Sequence, residues 1–171
     1  SHRMVTKQVS FYEEMTNVPF IIAGPGIHPR QKPVEDLLTQ PTIDLLPTLC
    51  ELAGIPVPSS KPGISLAPFL KGEKQKRQHP YAASEWHSEY EVTVSPGRMI
   101  RSPRYKYTHY LEGNGEELYD MLKDKGERRN LAHDPKYSKI LAEHRALLDD
   151  YIRRTQDDYR SLKVEADKRW R

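Results

Sequence analysis

Apolar residues along the chain change their spacing twice, and each spacing predicts a different kind of element. The first pattern is an unbroken apolar run, Val18–Ala23, which is followed by Gly-Pro-Gly. It predicts a buried strand of a parallel sheet. A single strand of this kind cannot form a sheet alone, because a buried strand needs neighbours. Residues 1–55 are therefore expected to form the closing edge of a larger α/β domain.

In residues 43–52 the apolar positions recur at helical spacing, which predicts a helix with one solvent-exposed face. Gly54 follows at the place where helices commonly end. Because proline is tolerated only in the first helical turn, Pro47 predicts that this helix begins near Asp44. The next segment, residues 55–80, is rich in Pro, Gly, Ser and Lys and predicts a surface crossing with one short helical turn.

Beyond this crossing the pattern changes to short segments separated by turn residues, which predicts a small antiparallel sheet. The predicted strands are Tyr81–Trp86, Val92–Val94, Arg98–Ile100, Tyr105–Leu111 and Glu117–Asp120, with a tight turn at Asn114-Gly115. Apolar residues at helical spacing from Lys136 to Tyr159, preceded by Asp134-Pro135, predict a long capped helix. The chain is thus expected to divide into residues 1–75, the end of an α/β domain, residues 76–160, a sheet-and-helix subdomain, and residues 161–171, a charged tail.

Composition narrows the functional classes. The 171 residues are 36% hydrophobic and 30% charged, which is polar for a free-standing domain. The 27 basic and 24 acidic residues are interleaved, which predicts no nucleic-acid partner. The single cysteine, Cys50, excludes an internal disulfide and a cysteine-based zinc site. No apolar run is long enough to predict a membrane span.

Two groups of polar residues are candidates for chemistry, and each also has a plainer interpretation. The first, His2, Arg3 and Lys7, is either a solvated basic end or a grip for an anion, since lysine presents a compact charge to sulfate or phosphate oxygens. The second is either a charged sheet face with cross-strand pairs or the lining of a polar groove. Its members are Glu85, His87, Arg98, Arg101, Arg104 and Lys106.

Five stretches, in order over residues 7–131, resemble motifs of the type I sulfatases of the alkaline-phosphatase-like superfamily. They are KQVSFYEEMTNVPFIIAGPG (7–26), IDLLPTL with AGI (43–49 and 53–55), GISLAPFL (63–70), RMIRSPRYKY (98–107), and ELYD with GE and NL (117–120, 126–127 and 130–131). Each is weakly specific alone, but their order makes the resemblance strong. It implies an α/β fold of the alkaline-phosphatase-like kind, of which this chain is a C-terminal fragment: the edge of the large α/β domain plus a small antiparallel sheet packed on a C-terminal helix.

The resemblance implies hydrolysis of a sulfate ester, expected to be that of a sulfated carbohydrate, by a formylglycine nucleophile with a calcium ion. The chain has neither the family's nucleophile motif nor its acidic metal ligands. Calcium is thus expected in the full-length enzyme, whereas this fragment is expected to bind none and to be inactive alone. Lys7 matches the family's sulfate-contacting lysine and is the expected catalytic residue. His2, His87, Arg98 and Arg101 are expected to contact the substrate, and no residue is assigned to a metal.

The implied partners are a sulfated small molecule or glycan and the missing N-terminal part of the same protein. The family also implies a periplasmic, secreted or lysosomal location. Two other interpretations stay open at this point. One is a phosphodiesterase or phosphonate monoester hydrolase of the same superfamily, because phosphate and sulfate esters look alike to a cation-lined pocket. The other is a non-catalytic interaction module.

Overall fold

In the computed structural model of the protein, the residues described are 10–30, 32–34, 37–74, 79–87, 95–111 and 115–162. The chain forms two compact units: Pro19–Ala82, and a second unit made of Ser1–Val18 with Ala83–Arg171. The helices within these ranges are Glu13–Thr16 (α1), Pro41–Leu52 (α2), Ala67–Leu70 (α3) and Ser138–Thr155 (α4). The strands are Ala82–Trp86 (β1), Gly97–Arg101 (β2), Tyr105–Tyr110 (β3) and Glu116–Asp120 (β4). None of these helices has the length and apolar character needed to cross a membrane.

The four strands form one sheet in the order β1-β2-β3-β4, with antiparallel pairing of β2 with β3 and of β3 with β4. The predicted small antiparallel sheet is confirmed, whereas the predicted strand Val92–Val94 lies outside the described residues. In its register Arg98 lies opposite His109, and Arg101 lies opposite Lys106. Because side chains alternate along a strand, Arg98 and His109 share one face of the sheet while Arg101 and Lys106 share the other.

Different parts of the same unit cover the two faces of the sheet. Helix α4 lies on the face of Arg98, where His144 Nε2 is 2.9 Å from the Ser102 hydroxyl. On the other face, the ring of Phe11 lies 6.0 Å from that of Tyr110. The sheet therefore packs between the C-terminal helix and the segment that precedes α1.

The residues at the C-terminal end of α2 and before the start of α4 are of the types that the sequence predicts. Gly54 follows α2 with φ +69°, a left-handed conformation that glycine adopts without steric cost. At the other end of the chain, the Asp134 carboxylate accepts a hydrogen bond from the Lys136 N–H at 3.1 Å, as a cap does. A 3-10 turn, Pro135–Tyr137, then leads into α4, so the predicted C-terminal helix is confirmed. It ends at Thr155 and not at the predicted Tyr159, which belongs to a second 3-10 turn, Tyr159–Ser161.

Helix α2 begins at Pro41, so the predicted start near Asp44 is wrong, and Pro47 lies inside the helix. A proline ring removes the helical hydrogen bond to the carbonyl four residues earlier, which here is that of Ile43. That carbonyl lies against Gly63, where a Cβ atom would overlap it. The segment at Gly63 therefore packs against α2 at the turn where the helix has lost a hydrogen bond.

The predicted strand at Val18–Ala23 is wrong, since the run forms no strand. Val18 is exposed, and Ile21 is 86% exposed. An apolar run of this kind becomes a strand only between partner strands, and no strand in the described ranges pairs with it. The division of the chain at residues 1–75, 76–160 and 161–171 stays a prediction.

Candidate functional site

The structure describes three of the five residues that the sequence predicts for the site. His2 and Lys7 lie outside the described residues. His87 follows β1 and is exposed, whereas Arg98 and Arg101 lie on β2. Because Arg98 and Arg101 are three positions apart, they occupy opposite faces of the sheet. The structure therefore brings His87 to Arg98 but separates both from Arg101.

Arg98 is 1% exposed, and each of its five N–H bonds has an acceptor. Nε and Nη2 donate to the two carboxylate oxygens of Asp157 at 2.6 and 2.9 Å. Nη1 donates to the carbonyls of Trp86 and Gly97 at 3.1 and 2.9 Å. The remaining Nη2 hydrogen reaches His87 Nε2 at 3.3 Å. Contact of Arg98 with a substrate stays a prediction, and the observed geometry gives Arg98 the further task of orienting His87.

His87 takes a defined tautomer in this arrangement. A guanidinium can only donate, so His87 Nε2 must accept from Arg98 and carries no proton. In the neutral ring the proton then lies on Nδ1. An exposed imidazole held in this way presents an N–H that can donate to a hydroxyl or carboxylate oxygen.

The electrostatics around Arg98 support a fixed ion pair. The hydrogen bonds from Arg98 hold the pKa of Asp157 below its ordinary value of 3.8. The guanidinium also lies 4.4 Å from the ring centroid of Tyr159, a cation–π contact. Burial raises the pKa of Tyr159 to about 12, so its hydroxyl stays protonated and donates to the His109 carbonyl at 2.8 Å.

Arg101 belongs to a second cluster of charges on the opposite face. Its Nε lies 3.7 Å from a Glu13 carboxylate oxygen, and burial lowers the pKa of the guanidinium. The same Glu13 oxygen lies 2.7 Å from Lys106 Nζ. Lys106 also contacts a Glu127 carboxylate oxygen and the Phe11 carbonyl, both at 2.9 Å. Two cations and two carboxylates thus balance one another between the sheet and the start of α1.

Sequence reasoning named the cations of both clusters but missed their carboxylate partners. Asp157, Glu13 and Glu127 received no role, although a buried guanidinium or ammonium requires a paired anion. The signal available was only this general requirement. Because these carboxylates lie 21 to 93 positions away from the cations they contact, no local pattern identifies them.

The described part of the chain contains no candidate metal site. Within it, no three His, Cys, Asp or Glu side chains come together in a way that could hold a metal ion. Calcium requires six to eight oxygen ligands, of which carboxylates are the main source. The described residues therefore do not form the calcium site that the resemblance implies for the full-length enzyme.

Comparison with known proteins places these observations in a family. Residues 1–154 match the family described as N-sulphoglucosamine sulphohydrolase, C-terminal. The chain is 78% identical over 171 residues to the Delta 4,5-hexuronate-2-O-sulfatase of Bacteroides thetaiotaomicron, and the match covers all of this chain and 36% of that protein. It also superposes on the structure of a 2-O GAG sulfatase with a TM-score of 0.93 and 78% identity, covering 99% of this chain and 36% of that one.

A more distant solved structure shares the fold. The phosphonate monoester hydrolase of Agrobacterium radiobacter superposes with a TM-score of 0.52 and 25% identity, covering 65% of this chain and 24% of that one. Together the two structures confirm the predicted α/β, alkaline-phosphatase-like fold class, of which this chain carries the small sheet and the C-terminal helix. The predicted resemblance to the sulfatases is confirmed as well, and the chain belongs to the N-sulphoglucosamine sulphohydrolase C-terminal family.

Proposed function

We propose that this chain is the C-terminal part of a sulfatase that hydrolyses a 2-O-sulfate ester on a hexuronate residue of a glycan. The observation that carries the proposal is the 78% identity, along the whole chain, to a protein named for that activity. The reaction breaks the bond between sulfur and the ester oxygen, takes up water, and releases sulfate and the sugar hydroxyl. In the full-length protein, a formylglycine nucleophile and a calcium ion, both held by residues outside this chain, would supply the attacking oxygen and the charge neutralisation.

The residues of this chain would bind and orient the substrate. Lys7 is the proposed sulfate ligand, whose charge would count most as negative charge shifts in the transition state. His2 is proposed as a further substrate contact. His87 would donate its Nδ1–H to the sugar, with Arg98 holding the ring. Arg101, which lies beside Glu13 on the opposite face of the sheet from His87, is proposed to contact a different part of the substrate.

The orientation of α2 supports a further partner, the N-terminal part of the same protein. Asp44 and Thr48 are fully buried, whereas Leu45, Leu46 and Leu49 are exposed, Leu49 by 50%. Amphipathic helices of globular domains normally bury their apolar face. Since the chain spans 36% of the length of its relative, the remaining length offers a natural cover for these leucines.

The alternatives are less well supported. The phosphonate monoester hydrolase matches at 25% identity and a TM-score of 0.52, against 78% and 0.93 for the 2-O GAG sulfatase. A non-catalytic interaction module is not favoured either, because the relatives named here are enzymes. The periplasmic, secreted or lysosomal location and the lack of a nucleic-acid partner stay predictions.

The test is turnover by the full-length gene product on matched substrates. We expect sulfate release from a 2-O-sulfated unsaturated uronate disaccharide, and much slower release from its 6-O-sulfated isomer and from 4-nitrophenyl phosphate. Lys7→Ala should lower kcat/KM by about 100-fold, as loss of a transition-state contact does. Lys61→Ala is the matched control, since Lys61 is an exposed lysine in the other unit.

Three outcomes would contradict parts of the proposal. Equal rates on the sulfate and phosphate esters would assign the protein to a different hydrolase class. Full activity of Lys7→Ala would remove the role given to that lysine. The 171-residue chain by itself is expected to give no turnover of 4-nitrophenyl sulfate, and turnover above buffer would show that the chain contains its own nucleophile.

A further inference from the structure

We propose that residues 121–139, which we call the basic segment, form a surface that binds a sulfated glycan polymer. The segment runs from the end of β4 into the first turn of α4, and the structure describes all of it. The choice of a sulfated glycan rests on the proposed function. The attraction for an anionic polymer is independent of that function, because it stands on the charges of the segment itself.

The basic segment is short but carries as much net charge as the whole chain. It contains six Lys or Arg residues and three acids, a net charge of +3, which equals that of all 171 residues. All six cations are exposed: Lys123, Lys125, Arg128, Arg129, Lys136 and Lys139. Among the acids, Glu127 is buried, and Asp124 and Asp134 are half-buried. The outer surface of the segment is therefore more basic than its composition indicates.

The two half-buried acids bind groups of the segment itself. The Asp124 carboxylate accepts the backbone N–H groups of Arg128 and Arg129 at 2.8 and 2.9 Å. The Asp134 carboxylate accepts the Lys136 N–H at 3.1 Å and Arg129 Nη2 at 3.0 Å. Acids and cations alternate in the sequence here, but the structure turns the acids toward the backbone and leaves the cations outside.

The third acid, Glu127, is neutralised inside the unit. Its side chain is 1% exposed, and one carboxylate oxygen lies 2.9 Å from Lys106 Nζ. The other oxygen accepts the Glu13 backbone N–H at 2.7 Å. Because a buried ammonium and a buried carboxylate cancel each other, Glu127 does not offset the exposed cations. Only two half-buried carboxylates then face six exposed cations.

Four of these cations make no ion pair with any residue that the structure describes. They are Lys123, Arg128, Lys136 and Lys139. Three exposed arginines at and after the end of α4 differ, because each pairs with Asp149 or Asp150. They are Arg153, Arg154 and Arg160. Unpaired like charges repel one another, and a bound polyanion would relieve that repulsion.

The backbone of the basic segment is fixed to the sheet, so its cations are held in a defined arrangement. The Met121 N–H donates to the Arg104 carbonyl and the Leu131 N–H to the Leu118 carbonyl, both at 2.8 Å. The side chains of Met121 and Leu131 are buried, at 3% and 4% exposed. A surface on a fixed backbone loses less conformational entropy on binding than a disordered basic tail does.

A sulfated glycan suits this surface better than a nucleic acid does. Clusters of Lys and Arg are typical of surfaces that bind heparin or nucleic acid, and their N–H donors match sulfate as well as phosphate oxygens. None of the exposed residues of the segment is a Phe, Tyr or Trp, on which the bases of single strands stack. Since the proposed substrate is a sulfated sugar, holding the polymer would raise the local concentration of that substrate.

The experiment measures binding of anionic polymers by the full-length gene product. The variant Lys123→Gln/Arg128→Gln/Lys136→Gln removes three unpaired cations of the basic segment. The probes are heparin, heparin stripped of its sulfate groups, and a DNA duplex of similar length. The readouts are the dissociation constant of each probe and kcat/KM on the 2-O-sulfated disaccharide.

The matched control is Arg153→Gln/Arg154→Gln/Arg160→Gln, which changes the net charge by the same amount in the same unit. Removing the cations of the basic segment should weaken heparin binding by about 10-fold or more, whereas the control should weaken it by less than about 3-fold. Heparin without sulfate should bind the wild type about 10-fold more weakly, and added salt should weaken all binding. Both variants should keep the wild-type kcat/KM on the disaccharide.

Equal losses of heparin affinity in the two variants would overturn the proposal, because binding would then follow net charge alone. So would a wild type that binds no heparin, or one that binds DNA more tightly than heparin. A parallel fall in kcat/KM would place these cations at the catalytic pocket instead. A wild type that binds heparin but shows no sulfatase activity would sink the proposed function and leave the binding surface standing, since the binding measurement needs no turnover.

Discussion

Arg98 on β2 and Asp157 after α4 are joined by two hydrogen bonds of 2.6 and 2.9 Å, so the end of the C-terminal helix is tied to the middle of the sheet. The pair is largely shielded from solvent, since the side chains of Arg98 and Asp157 are 1% and 8% exposed. A two-pronged pair of this geometry is stronger than a typical surface ion pair. The tie also fixes the guanidinium that holds His87.

Asp157→Asn should remove an acid-sensitive part of the stability. Because Arg98 holds the folded pKa of Asp157 below 3.8, the contribution of the pair is present above that ordinary value and is lost as pH falls through the lower folded pKa. At pH 7 the variant should lose about 2 kcal/mol of unfolding free energy. Below about pH 4 the wild-type stability should fall toward that of the variant.

Thermal unfolding between pH 2 and pH 7 measures this difference. Asp150→Asn is the control, because Asp150 makes its ion pairs with Arg153 and Arg154 on the exposed surface of α4. Surface pairs contribute about 0–1 kcal/mol, so this control should follow the wild-type curve. Curves for Asp157→Asn and wild type that stay parallel down to pH 2 would show that the pair adds no pH-dependent stability.

The sheet and the last helix could be predicted from the spacing of apolar residues, because the strands and helices that they pack against lie in the same chain. Residues 105–110 alternate with period two, and the apolar residues of α4 recur at helical spacing. The Val18–Ala23 run has an equally clear pattern but forms no strand, because a strand also needs partner strands. Pattern therefore predicts an element only where its partners are present.

The orientation of α2 could not be predicted for a related reason. Apolar spacing indicates which residues share a face, and that prediction holds for Leu45 and Leu49. Which face is buried depends on what lies against it. In the unit Pro19–Ala82 the buried face is the polar one, with Asp44 and Thr48 bound to the neighbouring loop. Charge partners such as Asp157, which lies 59 positions from Arg98, likewise cannot be identified from local pattern.

Asp44→Ala should destabilise the unit Pro19–Ala82 strongly. The buried carboxylate accepts the N–H groups of Gln40 and Ile64 at 2.7 and 2.8 Å, and lies 2.7 Å from His79 Nε2. Removing it leaves buried donors without their acceptor, at a cost of about 1–3 kcal/mol for each. Urea unfolding should show a loss of about 3 kcal/mol or more.

Glu51→Ala is the matched control for this change, since Glu51 is an acidic residue of the same helix whose side chain is exposed. Its unfolding free energy should change by less than about 0.5 kcal/mol. If Asp44→Ala were as mild as Glu51→Ala, the carboxylate would not be the bond that ties α2 to the loop at Ile64.

Gly63→Ala should be among the most destabilising small substitutions in this unit. Gly63 has φ +117°, and a Cβ atom there would overlap the carbonyl of Ile43 in α2. Backbone strain of this kind costs about 1–3 kcal/mol, and the overlap adds to it. Gly24→Ala is the control, because Gly24 has no positive φ and a Cβ atom added there would meet no other atom within 4 Å. Melting temperatures of the two variants that fall together would show that the contact between Gly63 and the helix is not tight.

The exposed face of α2 gives a prediction that depends on what surrounds the chain. Leu45→Gln/Leu49→Gln should change the unfolding free energy of the 171-residue chain by less than about 0.5 kcal/mol per site, because both side chains are already exposed. If the N-terminal part of the full-length gene product covers this face, the same double variant should cost that protein about 2–5 kcal/mol. Glu51→Gln, on the same helix, should be neutral in both.

Urea unfolding of the four proteins, wild type and double variant in each length, separates the two situations. The informative quantity is the difference between the two costs, because any intrinsic effect of glutamine on the helix cancels between them. A large cost in the full-length protein alone would place the leucines in an interface that only the longer protein forms. Equal costs would mean that this face stays exposed in both, and the inference that the N-terminal part covers α2 would be wrong.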